Sequence, residues 1–372
     1  MSIDGSTLIY GGTLALGVGL VLAYALLLLW SPPPILTHPS ELTYLSATNL
    51  KEPLSLPKLE DPASVELSII VPAFNETERL PAMLDATVSY LEGEGWQNAS
   101  TTHKSKIRTG KTSPSPNGNG NASAKKRKQN GSKRTFEIII VDDGSTDSTS
   151  SFALSLARTK YPNTDIKVVT LEKNIGKGGA VRHGMLHAGG ERLLMADADG
   201  ASRIEDLASL WSDMDAFVSK PATKNDRAVV VGSRAHLVQT EAVVKRSLLR
   251  NILMYGLHTI LRIVGVGHIR DTQCGFKLFS RSAAQQIFPS QHLPTWIFDV
   301  ELLLIAKALG IEVGEVPVEW HEVAGSKLNV VTASIQMLRD LVVVRVNMVV
   351  GRWKAGGGPG VTMVDGKGTK GE

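Results

Sequence analysis

The chain has 372 residues, 40 Lys and Arg against 36 Asp and Glu, and one cysteine. A lone Cys274 excludes an intrachain disulfide and fits a reducing compartment. The net charge of +4 does not indicate a nucleic-acid surface. Residues 96–134 hold ten basic residues and no acid, and without them the balance is 30 basic against 36 acidic, a net of −6.

Residues 8–30 carry no charge. At about 1.5 Å per residue they reach roughly 34 Å as a helix, enough to cross a bilayer. The N-terminus has Asp4 and no basic residue, so a retained anchor is expected rather than a cleaved leader. Basic residues lie only on its C-terminal side. Residues 1–7 are therefore expected to be a lumenal tail, with the bulk of the chain on the cytosolic face. Ser31-Pro-Pro-Pro34 ends the helix, and residues 31–66 read as a linker.

From there the pattern alternates between apolar strands and helical spacing. Leu67-Ser-Ile-Ile-Val-Pro72 is a buried strand, followed by Ala73-Phe-Asn-Glu76 and a helix over 78–91. Residues 96–134 are Ser-, Asn-, Gly- and Lys-rich and are expected to be a disordered basic insertion. Within them, Asn98, Asn121 and Asn130 begin N-x-[ST] patterns that matter only on a lumenal face. A second strand ends in Asp142-Asp-Gly-Ser-Thr-Asp147, with a helix after it. A third strand covers 166–171. Asn174-Ile-Gly-Lys-Gly-Gly179 turns into another helix, and the strand 192–195 ends in Asp197-Ala-Asp199. A helix over 204–218, a strand over 228–231 and a strand over 311–319 continue the series. The alternation predicts an α/β sheet with its site at the strands' C-terminal ends. Residues 243–264 and 330–350 are apolar but interrupted by charges, which predicts amphipathic helices at a membrane surface. Residues 353–372 read as a disordered tail.

Three acidic motifs, Asn75-Glu76, Asp142-Asp143 and Asp197-Ala-Asp199, each follow a buried strand. Carboxylates converging on one sheet edge can accept from hydroxyls and hold a cation on a diphosphate; oxygen ligands suit Mg²⁺ or Mn²⁺. Arg234, Arg246, Arg250 and Lys277 supply cations for a second anionic partner. Gly176-Lys-Gly178-Gly179 does not fit G-x-G-x-x-G, the histidines show no zinc spacing, and Asp299 and Glu301 suit either function or a helix start.

Ile69-Ile-Val-Pro-Ala-Phe-Asn-Glu76, Val141-Asp-Asp-Gly-Ser-Thr-Asp147, the Asn174–Gly184 turn and Asp197-Ala-Asp199 resemble the inverting GT-A glycosyltransferases, whose catalytic domain is Rossmann-like. Gly232-Ser-Arg-Ala-His236, Asp271-Thr-Gln-Cys-Gly-Phe-Lys-Leu-Phe279 and Trp296-Ile-Phe-Asp-Val-Glu301 are similar, more narrowly, to the dolichyl-phosphate β-glucosyltransferases. The resemblance covers most of residues 67–352. It implies transfer of glucose from UDP-glucose to dolichyl phosphate at the endoplasmic reticulum membrane, in contact with its lipids and with no nucleic acid. A GDP-mannose-dependent mannosyltransferase is the alternative that the chemistry motifs do not separate. It also implies roles. Pro72, Phe74, Glu76, Asp142, Asp143 and Lys177 would border the nucleotide sugar. Asp197 would lie against the sugar diphosphate and Asp199 would bind the metal, the two forming the catalytic pair. Arg234 with Arg246 or Arg250, and Lys277, would hold the lipid phosphate. The related mannosyltransferases carry a Gln two residues after the D-x-D as a further metal contact; here that position is Ala201.

Overall fold

A computed structural model describes residues 5–97, 133–218, 226–239, 267, 269–321, 323, 330–357 and 362–363. Its centre is β4 (Val65–Ala73). Leu67, Ile69 and Val71 face one core while Ile70 faces the other, so every position from Leu67 to Val71 is buried. This is why Ile69, Ile70 and Val71 run on without alternation, and why Ser68 beside them is buried and hydrogen-bonded to Glu137. β5 (Phe136–Asp142) and β6 (Ile166–Thr170) extend the sheet in parallel on one side, and β7 (Gly190–Met195) does so on the other. Beyond β7 the direction reverses. β9 (Lys277–Ser280) runs antiparallel between β7 and β8 (Ala228–Ser233), and β10 (Glu312–Pro317) lies parallel to β8.

Helices cover both faces. α2 (Leu80–Glu92) starts with a proline in its first turn and buries Leu80, Leu84, Val88 and Leu91, one stripe at helical spacing. Each such side chain contributes roughly 1.5–3 kcal/mol of burial. α3 (Thr149–Lys160) and α5 (Leu207–Val218) pack on the same face. The opposite face carries α4 (Lys177–Leu186), α6 (Arg281–Ile287) and α7 (Phe298–Ala308). The α/β expectation holds, with most helices and strands within a few residues of their expected ends.

Three expectations are corrected. Residues 31–66 are not merely a linker: β2 (Thr43–Ser46) and β3 (Asn49–Ser55) complete a nine-stranded sheet, with β2 antiparallel to β6. Just upstream, Glu41 is buried and accepts from the amides of His38 at 2.8 Å and Glu172 at 3.0 Å. The basic insertion begins later than expected. Trp96 is buried edge-on to Trp211, and the Arg134 guanidinium lies 4.2 Å from the Trp96 ring centre. Gln97 and Arg134 clasp one another, Arg134 N donating to Gln97 Oε1 at 2.8 Å. The tail, too, is partly docked: Trp353 stacks on His292 at 4.2 Å, and β11 (Thr362–Met363) pairs with β1 (Leu36–Thr37). Two-residue strands and a lone Trp in a glycine-rich stretch leave no periodicity to read.

α1 (Gly5–Trp30) includes the span Gly12–Trp30, the one helix among the described residues long and apolar enough to cross a membrane. α8 (Val330–Val349) buries Leu341, Val343 and Val344 on the core and leaves Ile335, Leu338, Val342, Val346 and Val349 exposed. Residues 243–264 lie outside the described residues.

Candidate active site

The site is assembled where β4, β5 and β7 end. After β4, Phe74 is partly exposed and Asn75 adopts φ +57°. Asn tolerates that left-handed conformation because its side chain bonds locally. Here Asn75 Oδ1 accepts from Thr146 N at 2.9 Å and Asp147 N at 3.2 Å, lacing the β4 exit to the β5 exit. Pro72 pairs with Val141 in the sheet beneath. Glu76 receives Arg79 Nε at 2.7 Å and Nη2 at 2.5 Å. Burial raises the Glu76 carboxyl above its ordinary range, with Arg79 opposing the rise. Arg79 also places Nη1 4.0 Å from Asp199 Oδ2, so it bridges two of the three acidic motifs. Sequence reasoning passed over Arg79; its position three residues after Glu76, at the start of a helix, was the available signal.

Asp142 Oδ1 accepts from Ser145 N at 2.9 Å. Asp143 accepts from Ile175 N at 2.8 Å and Gly176 N at 2.9 Å. Burial pushes the Asp143 carboxyl up to about 6 against those two amides. The pair of bonds sets the turn that starts α4, and with it Lys177. Gly144 and Gly176 have φ of +65° and +97°, and a Cβ on Gly144 would meet Asn174 N at 2.6 Å. The glycines therefore let the two loops close on each other.

Lys177 Nζ lies 2.6 Å from Asp197 Oδ1 and 5.8 Å from the Trp296 ring centre. Burial alone would raise the Asp197 carboxyl, but Lys177, Lys277 and Arg234 hold it below the usual range. Lys177 itself is lowered by burial and raised further by Asp197 and Asp299, ending above its ordinary value. A Cβ on Gly275 would sit 2.1 Å from Asp197 Oδ2, so only glycine allows that turn to back the carboxylate. Asp199 turns Oδ1 onto Ala201 N at 2.9 Å, leaving Oδ2 toward Arg79.

The expected acceptor cations are placed less simply. Arg234 gives Nε to Asp271 Oδ2 at 2.7 Å and Nη2 to Asp271 Oδ1 at 3.0 Å. Its two-pronged face is thus already on a carboxylate. Nη1 makes no hydrogen bond among the described residues, and the guanidinium lies 5.4 Å from the Trp320 ring centre. Burial lowers and Asp271 raises the Arg234 group, to a net value above the ordinary one. Lys277 is fully buried, donating to Asp299 Oδ1 at 2.6 Å and Cys274 O at 2.5 Å. It holds the 274–277 turn beneath Asp197 rather than standing open to a ligand. Asp299 is raised by burial, with Lys277 and Lys177 opposing. Glu301 accepts from His292 N at 2.9 Å and Leu293 N at 2.7 Å, bracing that loop. Arg246 and Arg250 lie outside the described residues.

Among the described residues no three His, Cys, Asp or Glu side chains form a metal cage. A single open carboxylate fits a different cation, one that keeps waters and takes other ligands from a diphosphate, as Mg²⁺ does.

A model of glycosyl transferase family 2 matches residues 122–288. The chain is 38% identical over 341 residues to dolichyl-phosphate beta-glucosyltransferase from Saccharomyces cerevisiae, covering 88% of this chain and 89% of that one. It is 39% identical over 322 residues to the Homo sapiens protein of the same name, covering 87% of each. The Dictyostelium discoideum counterpart is 42% identical over 291 residues, covering 78% of this chain and 77% of that one. Among solved structures, glucosyl-3-phosphoglycerate synthase from Mycobacterium tuberculosis with Mn²⁺ and UDP-glucose aligns over 76% of this chain and 79% of that one, at 15% identity and a TM-score of 0.45. That likeness is too loose to carry site detail across. The sequence matches are of another order: at close to two residues in five, along most of both lengths, they place the chain in the dolichyl-phosphate β-glucosyltransferase family.

Proposed function

We propose that this enzyme transfers glucose from UDP-glucose to dolichyl phosphate with inversion, giving dolichyl β-D-glucosyl phosphate. The observation that carries the reading is the closeness of opposite charges at the strand ends: Asp199 and the Lys177–Asp197 pair after β7, with Arg234 after β8 among the cations that act on Asp197. Phe74, Glu76, Asp142 and Asp143 border the nucleotide. Asp199 would hold a divalent cation, Mg²⁺ or Mn²⁺, together with the diphosphate. That cation, when bound, offsets the charge that develops on the departing UDP.

The chain's own residues do the positioning. Lys177 is fixed by Asp143 through the Ile175–Gly176 turn and is charge-paired with Asp197, where it faces the donor's phosphates. The acceptor needs no base. The second pKa of a phosphate monoester is about 6, so it arrives at neutral pH mostly as a dianion. Asp299, a carboxylate that would suit a base, is engaged by Lys277. Arg234 is held flat by Asp271 and offers Nη1 to the phosphate, and Arg246 and Arg250 are further candidates.

α1 anchors the protein in the endoplasmic reticulum membrane, and the exposed apolar stripe of α8 lies on the lipid surface with the catalytic domain on the cytosolic side. The deciding experiment supplies detergent-solubilised protein with dolichyl phosphate and either radiolabelled UDP-glucose or GDP-mannose. A β-linked glucosyl lipid formed only from UDP-glucose is expected; transfer from GDP-mannose alone would overturn the reading.

A further inference from the structure

Asp340 is a buried acid that stands outside the charge pairs of the site. It lies on α8 at 2% exposure, on the face opposite the exposed stripe of Ile335, Leu338, Val342, Val346 and Val349. A carboxylate out of water needs partners. Oδ1 accepts from its neighbour Arg339, Nε at 3.0 Å and Nη2 at 2.7 Å. Oδ2 leaves the helix: it accepts from Thr295 Oγ1 at 2.6 Å.

Thr295 belongs to the loop before α7, and that loop wraps the turn that starts α4. Pro294 O accepts from Gly179 N at 3.2 Å, and Gln291 Nε2 donates to Gly178 O at 2.8 Å. The approach is close enough that a Cβ on Gly176 would sit 2.6 Å from Pro294 O. One residue past Thr295, Trp296 is 38% exposed, with its ring centre 5.8 Å from Lys177 Nζ. The Thr295 hydroxyl goes to Asp340 and not to the start of α7, where Phe298 N donates to Thr295 O at 3.3 Å. The stretch after α8 holds the other end of the loop: Trp353 stacks on His292, and Gly356 N donates to Ser290 Oγ at 3.0 Å.

We infer that Asp340 is a positioning residue for the donor: through Thr295 it holds the Pro294–Trp296 wall against the Gly176–Gly179 turn, and so fixes Lys177. This rests on the donor-binding role given to Lys177 above. Asp143 grips the same turn from the β5 exit through Ile175 N and Gly176 N. The wall held from α8 is a second clamp on its other side, and Lys177 keeps its place only while both are closed. The helix that carries the exposed apolar stripe is thereby also the helix that secures the donor loop.

The test uses full-length protein in detergent and reads UDP-glucose affinity by calorimetry beside the KM of each substrate. Thr295→Val keeps the shape of the side chain and removes the hydroxyl. It is expected to weaken UDP-glucose binding and raise its KM about tenfold, the scale of one hydrogen bond to a charged group, with kcat and the KM for dolichyl phosphate little changed. Thr295→Ser, which keeps the hydroxyl, is expected to bind UDP-glucose as wild type does, and Asp340→Leu to repeat the Thr295→Val result. Leu341→Ala removes a buried apolar side chain from the same helix. It is expected to lower Tm at least as far as Thr295→Val does, yet to leave UDP-glucose affinity alone. Unchanged affinity in Thr295→Val, or an equal loss in Leu341→Ala, overturns the positioning role and leaves the functional reading standing. Absence of UDP-glucose binding by wild type overturns both.

Discussion

The regions proposed above for the donor and for the acceptor balance their charges differently. On the donor side, partners are close in sequence or sit on adjacent parallel strands: Glu76 with Arg79, Asp143 with Ile175 and Gly176. Asp199 stays partly open, with its nearest cation 4.0 Å away. On the acceptor side, Arg234 meets Asp271 and Lys277 meets Asp299, pairs closed across long sequence separations and largely out of water. An open carboxylate invites a cation. A cation already sealed by a carboxylate has to be shared with, or won by, an incoming phosphate. On that proposal, the donor side is suited to gain a charge and the acceptor side to exchange one.

The most severe way to break this contrast is Asp199→Asn, which keeps the shape but removes the open charge. A fall in kcat of about 10²-fold or more is expected, about 3 kcal/mol or more of barrier. Turnover near wild type at saturating UDP-glucose would show that Asp199 holds no metal. Gly275→Ala attacks the same side from behind. Its Cβ cannot coexist with Asp197 Oδ2, and overpacking of this kind costs roughly 1–3 kcal/mol. The KM for UDP-glucose should rise about 10- to 100-fold, with that for dolichyl phosphate little changed.

Arg234→Ala tests the acceptor side. It should raise the KM for dolichyl phosphate about tenfold, the scale of one charge-assisted bond, and leave that for UDP-glucose nearly alone. Its companion, Asp299→Asn, should cost stability by stranding Lys277 yet leave the acidic, rising limb of the kcat–pH profile in place. If the lipid KM stayed unmoved in the first and the pH limb vanished in the second, Asp299 would be the base.

Acid tests the Asp143 tie. Its folded pKa, about 6, lies above the ordinary carboxylate value, so the native state binds the extra proton between roughly pH 4 and 6. Stability from this group should therefore fall as pH rises through that window, by roughly 3 kcal/mol once ionised. Function should run the other way. Below about pH 6, protonated Asp143 loosens its hold on Ile175 and Gly176, and UDP-glucose affinity by calorimetry should weaken. A donor affinity with the same pH dependence in Asp143→Asn would sink this. Deletion of residues 98–132 should have the smallest effect, near-normal transfer, because Gln97 and Arg134 already close the gap and loop length alters closure entropy slowly.

The same contrast explains what could be read from the sequence. The donor loops follow apolar strands of a parallel sheet, so Asn75-Glu76, Asp142-Asp143 and Asp197–Asp199 announced both their place and their convergence. β9 did not announce itself. It is four residues long, antiparallel, and carries the fully buried Lys277, which in sequence reads as an exposed cation. Its meaning depends on Asp299, 22 residues away, which no local pattern reveals. β2 and β3 were hidden by Lys51, Glu52 and Pro53, edge-strand residues that also suit a linker. Trp96 was lost inside a composition that is otherwise polar.

Ser31, at the end of α1, is also a joint. Its hydroxyl donates to Leu27 O at 2.7 Å and accepts from Asn347 Nδ2 at 3.0 Å and Arg352 Nη1 at 2.8 Å. The anchor helix is bolted to α8, not hung from a tether. If α1 stands in a bilayer as proposed, the height of the cleft above the lipid is a property of the fold, without the swing a flexible stalk would give. Meeting a lipid-borne acceptor then becomes a search in two dimensions at constant depth, in which only lateral drift and rotation about the membrane normal remain to be sampled.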